Sequence, residues 1–318
     1  MKTNNLIRLS AILVILLGLI FTGCNKKSTT EQTSTNTSSL QQLTLDENNV
    51  ENNSDDAMND ANAVLTPGGL KSSQGLPCHA TIDSTPVHND TITIYIHYNG
   101  LTCNLNKFIT GTIEISKNIN THWYDAGATV MVKFIDYKVT RVSTQKSMTF
   151  NGTKTFTNVS GGYIWQLGYQ IQSLIDRITG AILVTFDDNT TKSWNIDRQR
   201  TLTRVIDSTN SAHLLLTIEG LGTADGYNNL AIWGVNRNGE NFYSQITQAV
   251  IMKEACNWDP SCGIEIHQIP ATHKSATVTF GYDNNNSQIA CGSSECPTRY
   301  RVDWTINNQS GTFFLPLH

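Results

Sequence analysis

Charge is scarce in this chain. Asp, Glu, Lys and Arg together make up 15% of 318 residues, and the balance is −4. No long basic run occurs, so the electrostatic footprint that a nucleic-acid backbone requires is missing and no nucleic-acid partner is expected. The short motifs of common catalytic machineries are missing as well. There is no His-Glu-x-x-His, no Gly-x-Ser-x-Gly and no phosphate-binding loop ending in Gly-Lys. Gly220-Leu221-Gly222-Thr223-Ala224-Asp225-Gly226 is glycine-rich, but its spacing is wrong for a nucleotide, and Leu230-Ala231-Ile232-Trp233 behind it reads as strand. A glycine-rich turn is the better reading. Lys and Glu are few, while Asn, Thr, Ser and Gly are abundant, which suits turns and β-structure rather than long helices.

Long hydrophobic runs are also missing, except at the start. Lys2 and Arg8 precede an uninterrupted apolar segment from Ala11 to Phe21, which ends in Phe21-Thr22-Gly23-Cys24. That segment is short of the roughly 20 residues a membrane-spanning helix needs. Small residues directly before a cysteine resemble the lipobox of bacterial lipoproteins, with Phe21 standing where Leu is most common. The resemblance implies a signal peptide over 1–23, acylation of Cys24 and attachment to a membrane through its acyl chains. Asn25, rather than Asp, follows the cysteine, which by the same resemblance implies an outer-membrane lipoprotein of the cell envelope.

Seven cysteines occur. With Cys24 assigned to lipid, Cys78, Cys103, Cys256, Cys262, Cys291 and Cys296 remain, an even set that reads as disulfides in an exported chain. Cys78 and Cys103 flank one strand pattern and are expected to pair. The other four lie together near the end and are expected to pair among themselves. A four-thiolate zinc site is the competing reading. Gaps of five residues between Cys256 and Cys262 and four between Cys291 and Cys296 fit it poorly, so no metal and no cofactor is expected.

Residues 24–73 are poor in apolar side chains and rich in Ser, Thr, Asn and Asp, so they read as a flexible linker, with a short helix near Asp55 to Val64 as the alternative. From 74 to 318 the chain reads as a β-rich globular region, with a division into two sub-units near 205/206 as one reading. Period-2 alternation predicts strands over Thr91–Tyr98, Thr110–Ser116, Ala128–Tyr137, Ala181–Phe186, Thr191–Ile196, Leu202–Ile206, His213–Ile218, Asn229–Val235, Asn241–Lys253, Ile264–Gln268, Ala276–Tyr282, Tyr300–Ile306 and Thr312–Leu317. Asn99-Gly100 and Asn151-Gly152 read as turns, as does Asn236-Arg237-Asn238-Gly239. Tyr163–Ile178 carries both helical spacing and β-branched residues and is assigned to strand. The expected fold is all-β and antiparallel, a meander folded as a sandwich or left as an extended twisted sheet.

Gly234-Val235-Asn236-Arg237-Asn238-Gly239, Ala255-Cys256-Asn257-Trp258 and the Gly263-Ile264-Glu265-Ile266 strand resemble uncharacterised lipoproteins of Bacteroidota. The resemblance covers about Cys78 to the C-terminus. It implies a long β-meander and supplies no catalytic residue. Tyr282–Cys296 departs from it and suggests an inserted hairpin.

Few residues invite chemistry, and the catalytic residues are unknown from sequence. His267 and His273 flank Pro270 and read as a surface pair rather than a metal site. Asp187-Asp188-Asn189 and Asp283-Asn284-Asn285-Asn286 offer oxygens but match no calcium loop. Six tryptophans (Trp123, Trp165, Trp194, Trp233, Trp258 and Trp304) could stack on sugar rings or fill the sheet. The expected function is therefore a non-enzymatic binding or structural role in the envelope, with a glycan or protein ligand. The alternative is a secreted hydrolase acting on polysaccharide through two carboxylates drawn from Asp136, Glu219 and Asp303.

Overall fold

The computed structural model describes residues 77–206 and 212–317, together with ten residues between 46 and 64 (46, 49, 50, 53, 54, 56, 57, 60, 61 and 64). The signal peptide expected over 1–23 and Cys24 lie outside the described residues, as does most of the expected linker.

The described chain is all-β and antiparallel. Fifteen strands form one sheet: β1 (Ala80–Ser84), β2 (Thr91–Leu101), β3 (Lys107–Asn118), β4 (Ala128–Arg141), β5 (Ser147–Asn158), β6 (Ser173–Phe186), β7 (Thr191–Ile206), β8 (Ala212–Gly220), β9 (Gly222–Ala224), β10 (Tyr227–Val235), β11 (Asn241–Lys253), β12 (Pro260–Ile269), β13 (Lys274–Tyr282), β14 (Arg299–Ile306) and β15 (Gln309–Pro316). β1 to β7 and β11 to β15 are two runs in which each strand pairs with the next. The sheet continues through position 205/206, where the sequence suggested a division.

The join between the two runs is unusual. β6 occupies one edge of β7 from Thr191 to Thr203. On the other edge β10 pairs with Ser193–Ile196 and β8 with Arg198–Ile206. β11 is shared in the same way: β12 holds one edge, while β10 and β8 divide the other. β8 and β10 thus lie end to end in a single lane between β7 and β11, closing a small ring of pairings. The β9 hairpin leaves the lane between them.

Strict alternation gives the sheet one buried face. In β4, Val130, Val132, Phe134, Tyr137 and Val139 are buried, and the residues between them face outward. Inner-face side chains from β2 to β14 join one hydrophobic cluster. A crease crosses this face. Gly111 (φ 97°), Asp136 (φ 47°), Gly152 (φ 136°) and Gly234 (φ 157°) sit where register shifts or close strand approach bend the sheet. Trp194 lies on this line, opposite Ile182 on β6 and Gly234 on β10, with its ring fully buried.

Two Asn-Gly pairs expected as turns are instead strand interior. Asn151 accepts the Asp136 N–H (2.9 Å) and donates to the Asp136 carboxylate (3.0 Å), bracing the bulge in β4. Gly152 then lets β6 pass, since a Cβ there would collide with the Ala181 carbonyl oxygen. Gly100 makes room for the His79 side chain. Between Tyr282 and Arg299 the expected hairpin is a loop without strands, in which the Asp283 carboxylate accepts the Asn285 and Ser287 N–H groups. Disulfides join Cys78 to Cys103, Cys256 to Cys296 and Cys262 to Cys291. Three such bonds mark an extracytoplasmic protein.

All ten described residues between 46 and 64 are helical, which agrees with the alternative of a short helix near Asp55 to Val64, begins earlier than it, and differs from the flexible linker. Their spacing explains the difference. Positions 46, 50, 53, 54, 57, 61 and 64 share one helical face, and all of them are buried. Val50, Ala57, Ala61 and Val64 join the hydrophobic cluster, so the sheet wraps its inner face around this helix. Polar contacts fix the seat. Lys107 Nζ donates to Asn53 (2.9 Å) and Asp56 (2.6 Å), and Lys154 Nζ donates to Ser54 (2.6 Å) while lying 4.7 Å from the Trp194 ring centroid. Arg237 pairs with Asp46 at 3.5 Å.

Asp60 accepts the Tyr98 hydroxyl at 2.9 Å. Burial pushes its carboxyl up to about 6; the Tyr98 bond opposes the rise and Asp56 adds to it. Because the folded value lies above the unfolded one, the stability this group contributes is complete below pH 3.8 and is lost as pH rises through about 6. Asp60→Asn should therefore be more stable than the parent protein at pH 8, and the gap should close by pH 4. Urea unfolding at the two pH values measures it, and equal stability at pH 8 would contradict a half-buried Asp60 with a raised pKa.

Candidate functional site

Tyr163–Ile178 is where the sequence assignment departs furthest from the structure. Ile164–Gln166 form a 3₁₀ turn, and strand begins only at Ser173. Up to Gln172 the segment is a loop, and it carries the most exposed aromatic side chains of the described chain, Trp165 at 65% and Tyr169 at 73%. Gly161 (φ 73°) and Gly162 (φ 92°) turn the chain out of β5.

Hydrogen bonds hold this loop against the one that precedes β4. The buried Asn158 side chain donates to the Trp123 carbonyl (2.7 Å) and accepts the Gly161 N–H (2.8 Å). Its main-chain carbonyl accepts the Gly127 N–H (2.7 Å), and Gly162 N–H reaches the Tyr124 carbonyl (2.8 Å). Within the loop, the Gln166 side chain accepts the Tyr163 N–H (2.7 Å) and donates to Gln170 (2.7 Å), while Gly168 N–H bonds the Ile171 carbonyl (2.9 Å). The loop thus has a defined shape without secondary structure.

What it displays is a file of rings. His122 stacks on Tyr124 at 4.9 Å and an interplanar angle of 15°. Tyr124 meets Tyr163 at 5.0 Å, and Tyr163 stacks on Trp165 at 6.0 Å and 20°. Beside Trp165 opens a recess of ≈ 210 Å³, walled by Ile164, Leu167, Arg204, His213, Leu214 and Glu254. The Arg204 guanidinium lies over the Tyr169 ring at 4.6 Å. Glu254 accepts the Leu214 N–H at 2.9 Å. The recess is shallow and open, with polar side chains from Arg204, His213 and Glu254 beside the Trp165 ring.

Only Trp165 of the six tryptophans belongs to this surface. Trp194 is fully buried, and Trp123 and Trp304 pack against the hydrophobic cluster. The carboxylates considered for hydrolysis are not brought together. Asp136 braces the β4 bulge with Asn151, Glu219 faces Gln199 from β8, and Asp303 on β14 bonds Arg301 and Thr312. His267 is buried on the inner face and His273 caps a 3₁₀ turn, so they are not a surface pair. Asp188 pairs with Arg237. Among the described residues, no three His, Cys, Asp or Glu side chains are grouped to hold a metal.

Two arrangements have the order hydroxyl, imidazole, carboxylate. Ser244 Oγ lies 2.9 Å from His267 Nδ1, whose Nε2 is 3.6 Å from Glu265. Ser244 is only 4% exposed, however, so no substrate reaches it. Thr112, His97 and Asp83 are linked at 2.9 and 3.3 Å on the outer face. His97 and Asp83 are well exposed there, in water, with both imidazole nitrogens engaged.

The aromatic surface was hidden in the sequence by its aromatic and β-branched content, which is what strands also contain. Gly161-Gly162 and Gly168 were the signals against strand. Comparison with family models, with curated proteins and with solved structures returned no match to this chain.

Proposed function

We propose that this protein is a lipid-anchored component of the bacterial outer membrane that binds glycan without transforming it. The observation that carries the reading is the file of exposed rings ending at Trp165 beside an open recess. Sugar rings present C–H faces that pack on aromatic faces, and hydroxyls that need a few placed polar partners. A loop braced by its own hydrogen bonds loses little entropy on binding. The anchor rests on the lipobox at Phe21–Cys24.

The test is titration of the full-length protein, in detergent micelles, with a panel of neutral and acidic oligosaccharides. Binding should be detected by calorimetry, and Trp165→Ala should weaken it at least tenfold without changing the melting temperature. A Trp165→Ala protein that binds as the parent does would refute the site. For the anchor, Cys24→Ser should move the protein out of the membrane fraction, and its retention there would refute the lipid.

A further inference from the structure

Resting on the glycan reading, we infer that the recess beside Trp165 takes an acidic sugar, a uronate-type residue whose carboxylate seats on Arg204. Four other described arginines are already committed to a carboxylate: Arg177 to Asp197, Arg200 to Asp176, Arg237 to Asp188 and Arg301 to Asp303. Arg141 and Arg299 hydrogen-bond to asparagines, and Arg198 is buried with an interaction of its own. The Arg204 side chain has neither an ion pair nor a hydrogen bond among the described residues. Its only contact of this kind is the Tyr169 ring beneath it.

That arrangement suits anion recognition. The Tyr169 ring lies against the guanidinium at 4.6 Å. Gly168 leaves room for the arginine stem, since a Cβ there would lie 3.0 Å from Arg204 Cδ. The fork of N–H donors is then presented to the recess with its hydrogen bonds unmade, which is what bidentate carboxylate binding requires. Glu254 lines the same recess without pairing with Arg204. Its Oε2 is fixed by the Leu214 N–H, so the carboxylate is oriented to accept from a sugar hydroxyl. Ring stacking on Trp165, a carboxylate on Arg204 and a hydroxyl on Glu254 are the three contacts that one hexuronate can make at once. An acidic peptide supplies the carboxylate but not the flat C–H face.

The full-length protein in micelles is titrated with tetramers of galacturonate, glucuronate-containing disaccharide repeats and mannuronate. The methyl ester of the galacturonate tetramer and a poly-glutamate peptide are titrated in parallel. At least one uronate should bind tenfold more tightly than the methyl ester. Arg204→Met should weaken that uronate by about tenfold more than it weakens the ester, and so abolish the preference for the acid. Raising the salt from 50 to 500 mM should weaken only the acid. If ester and acid bind equally, with binding lost in Trp165→Ala and unaffected by Arg204→Met, the acidic class is wrong and the glycan platform stands. If poly-glutamate binds as well as the best uronate, the ligand is an acidic peptide and the inference falls. No binding of any saccharide at 5 mM overturns both the inference and the reading beneath it.

Discussion

Trp194→Ala should lower the unfolding free energy by about 3–5 kcal/mol, which is the usual cost of emptying a large buried aromatic site. The ring is fully buried on the inner face and supports the Lys154 ammonium, 4.7 Å from its centroid. Removing it leaves a hole on the crease and takes away the aromatic face that Lys154 rests on. The neighbours cannot easily close the gap, because Gly234 opposite has no side chain to move and Ile182 is held in the β6–β7 ladder. Trp194→Phe should cost less than about 1.5 kcal/mol, since it keeps most of the buried surface. The indole Nε1 has no hydrogen-bond partner among the described residues, so phenylalanine forfeits no bond. Denaturant unfolding of the three proteins checks both figures. A loss below about 1 kcal/mol for Trp194→Ala would mean that the inner face is not the core.

Gly152→Val should be nearly as damaging, at about 4 kcal/mol, from a sum of backbone strain and overpacking. Its φ of 136° is one that side chains rarely adopt, and a Cβ would strike the Ala181 carbonyl of the neighbouring strand. Gly226→Ala is the control. Gly226 also has a positive φ (84°), but nothing lies within 4 Å of where its Cβ would be. It should cost about 1 kcal/mol, the strain alone. Thermal melts of the two variants separate the contributions, and equal losses would mean that the close approach of β5 and β6 is not rigid.

The Gly152 result also shows why part of the fold was legible and part was not. Strand existence follows from alternation, and Ala128–Tyr137 or Asn241–Lys253 announce themselves because side chains on a pleated strand have a period of two. The Asn99-Gly100 and Asn151-Gly152 pairs carry the same letters as a hairpin turn. Whether they turn depends on what the next strand needs, and that is a tertiary fact. The helical residues described between 46 and 64 were legible only in part, as the short helix offered near Asp55 to Val64, for a related reason. Their inner face includes Asp46, Asn53 and Ser54, which read as linker until Arg237, Lys107 and Lys154 appear opposite them. At the candidate site, Trp165 was visible as one of six tryptophans, but nothing in the spacing separated it from Trp194. What separates them is the pair of glycines at 161 and 162, which lift one ring into water while the other faces the helix. Arg204 could not be found from sequence at all, because its lack of a partner is a property of its neighbours.

The lane shared by β8 and β10 governs the order in which the molecule can assemble. β1 to β7 and β11 to β15 are built from neighbours in sequence, so each run closes short loops and can zip up early. In the lane, β8 folds back on β7 and β10 on β11 as neighbours in sequence too, and only the β7–β10 and β8–β11 pairings join the two halves. Until those two pairings form, β8 and β10 each present a bare edge, and a bare edge is where chains join wrongly. The β9 hairpin, turning at Asp225-Gly226, is the thread that brings the second run to the first. Tyr243 of β11 reaches back to bond Asp225 and stacks on Tyr227 at 4.3 Å, fastening that thread on the outside once the lane is filled.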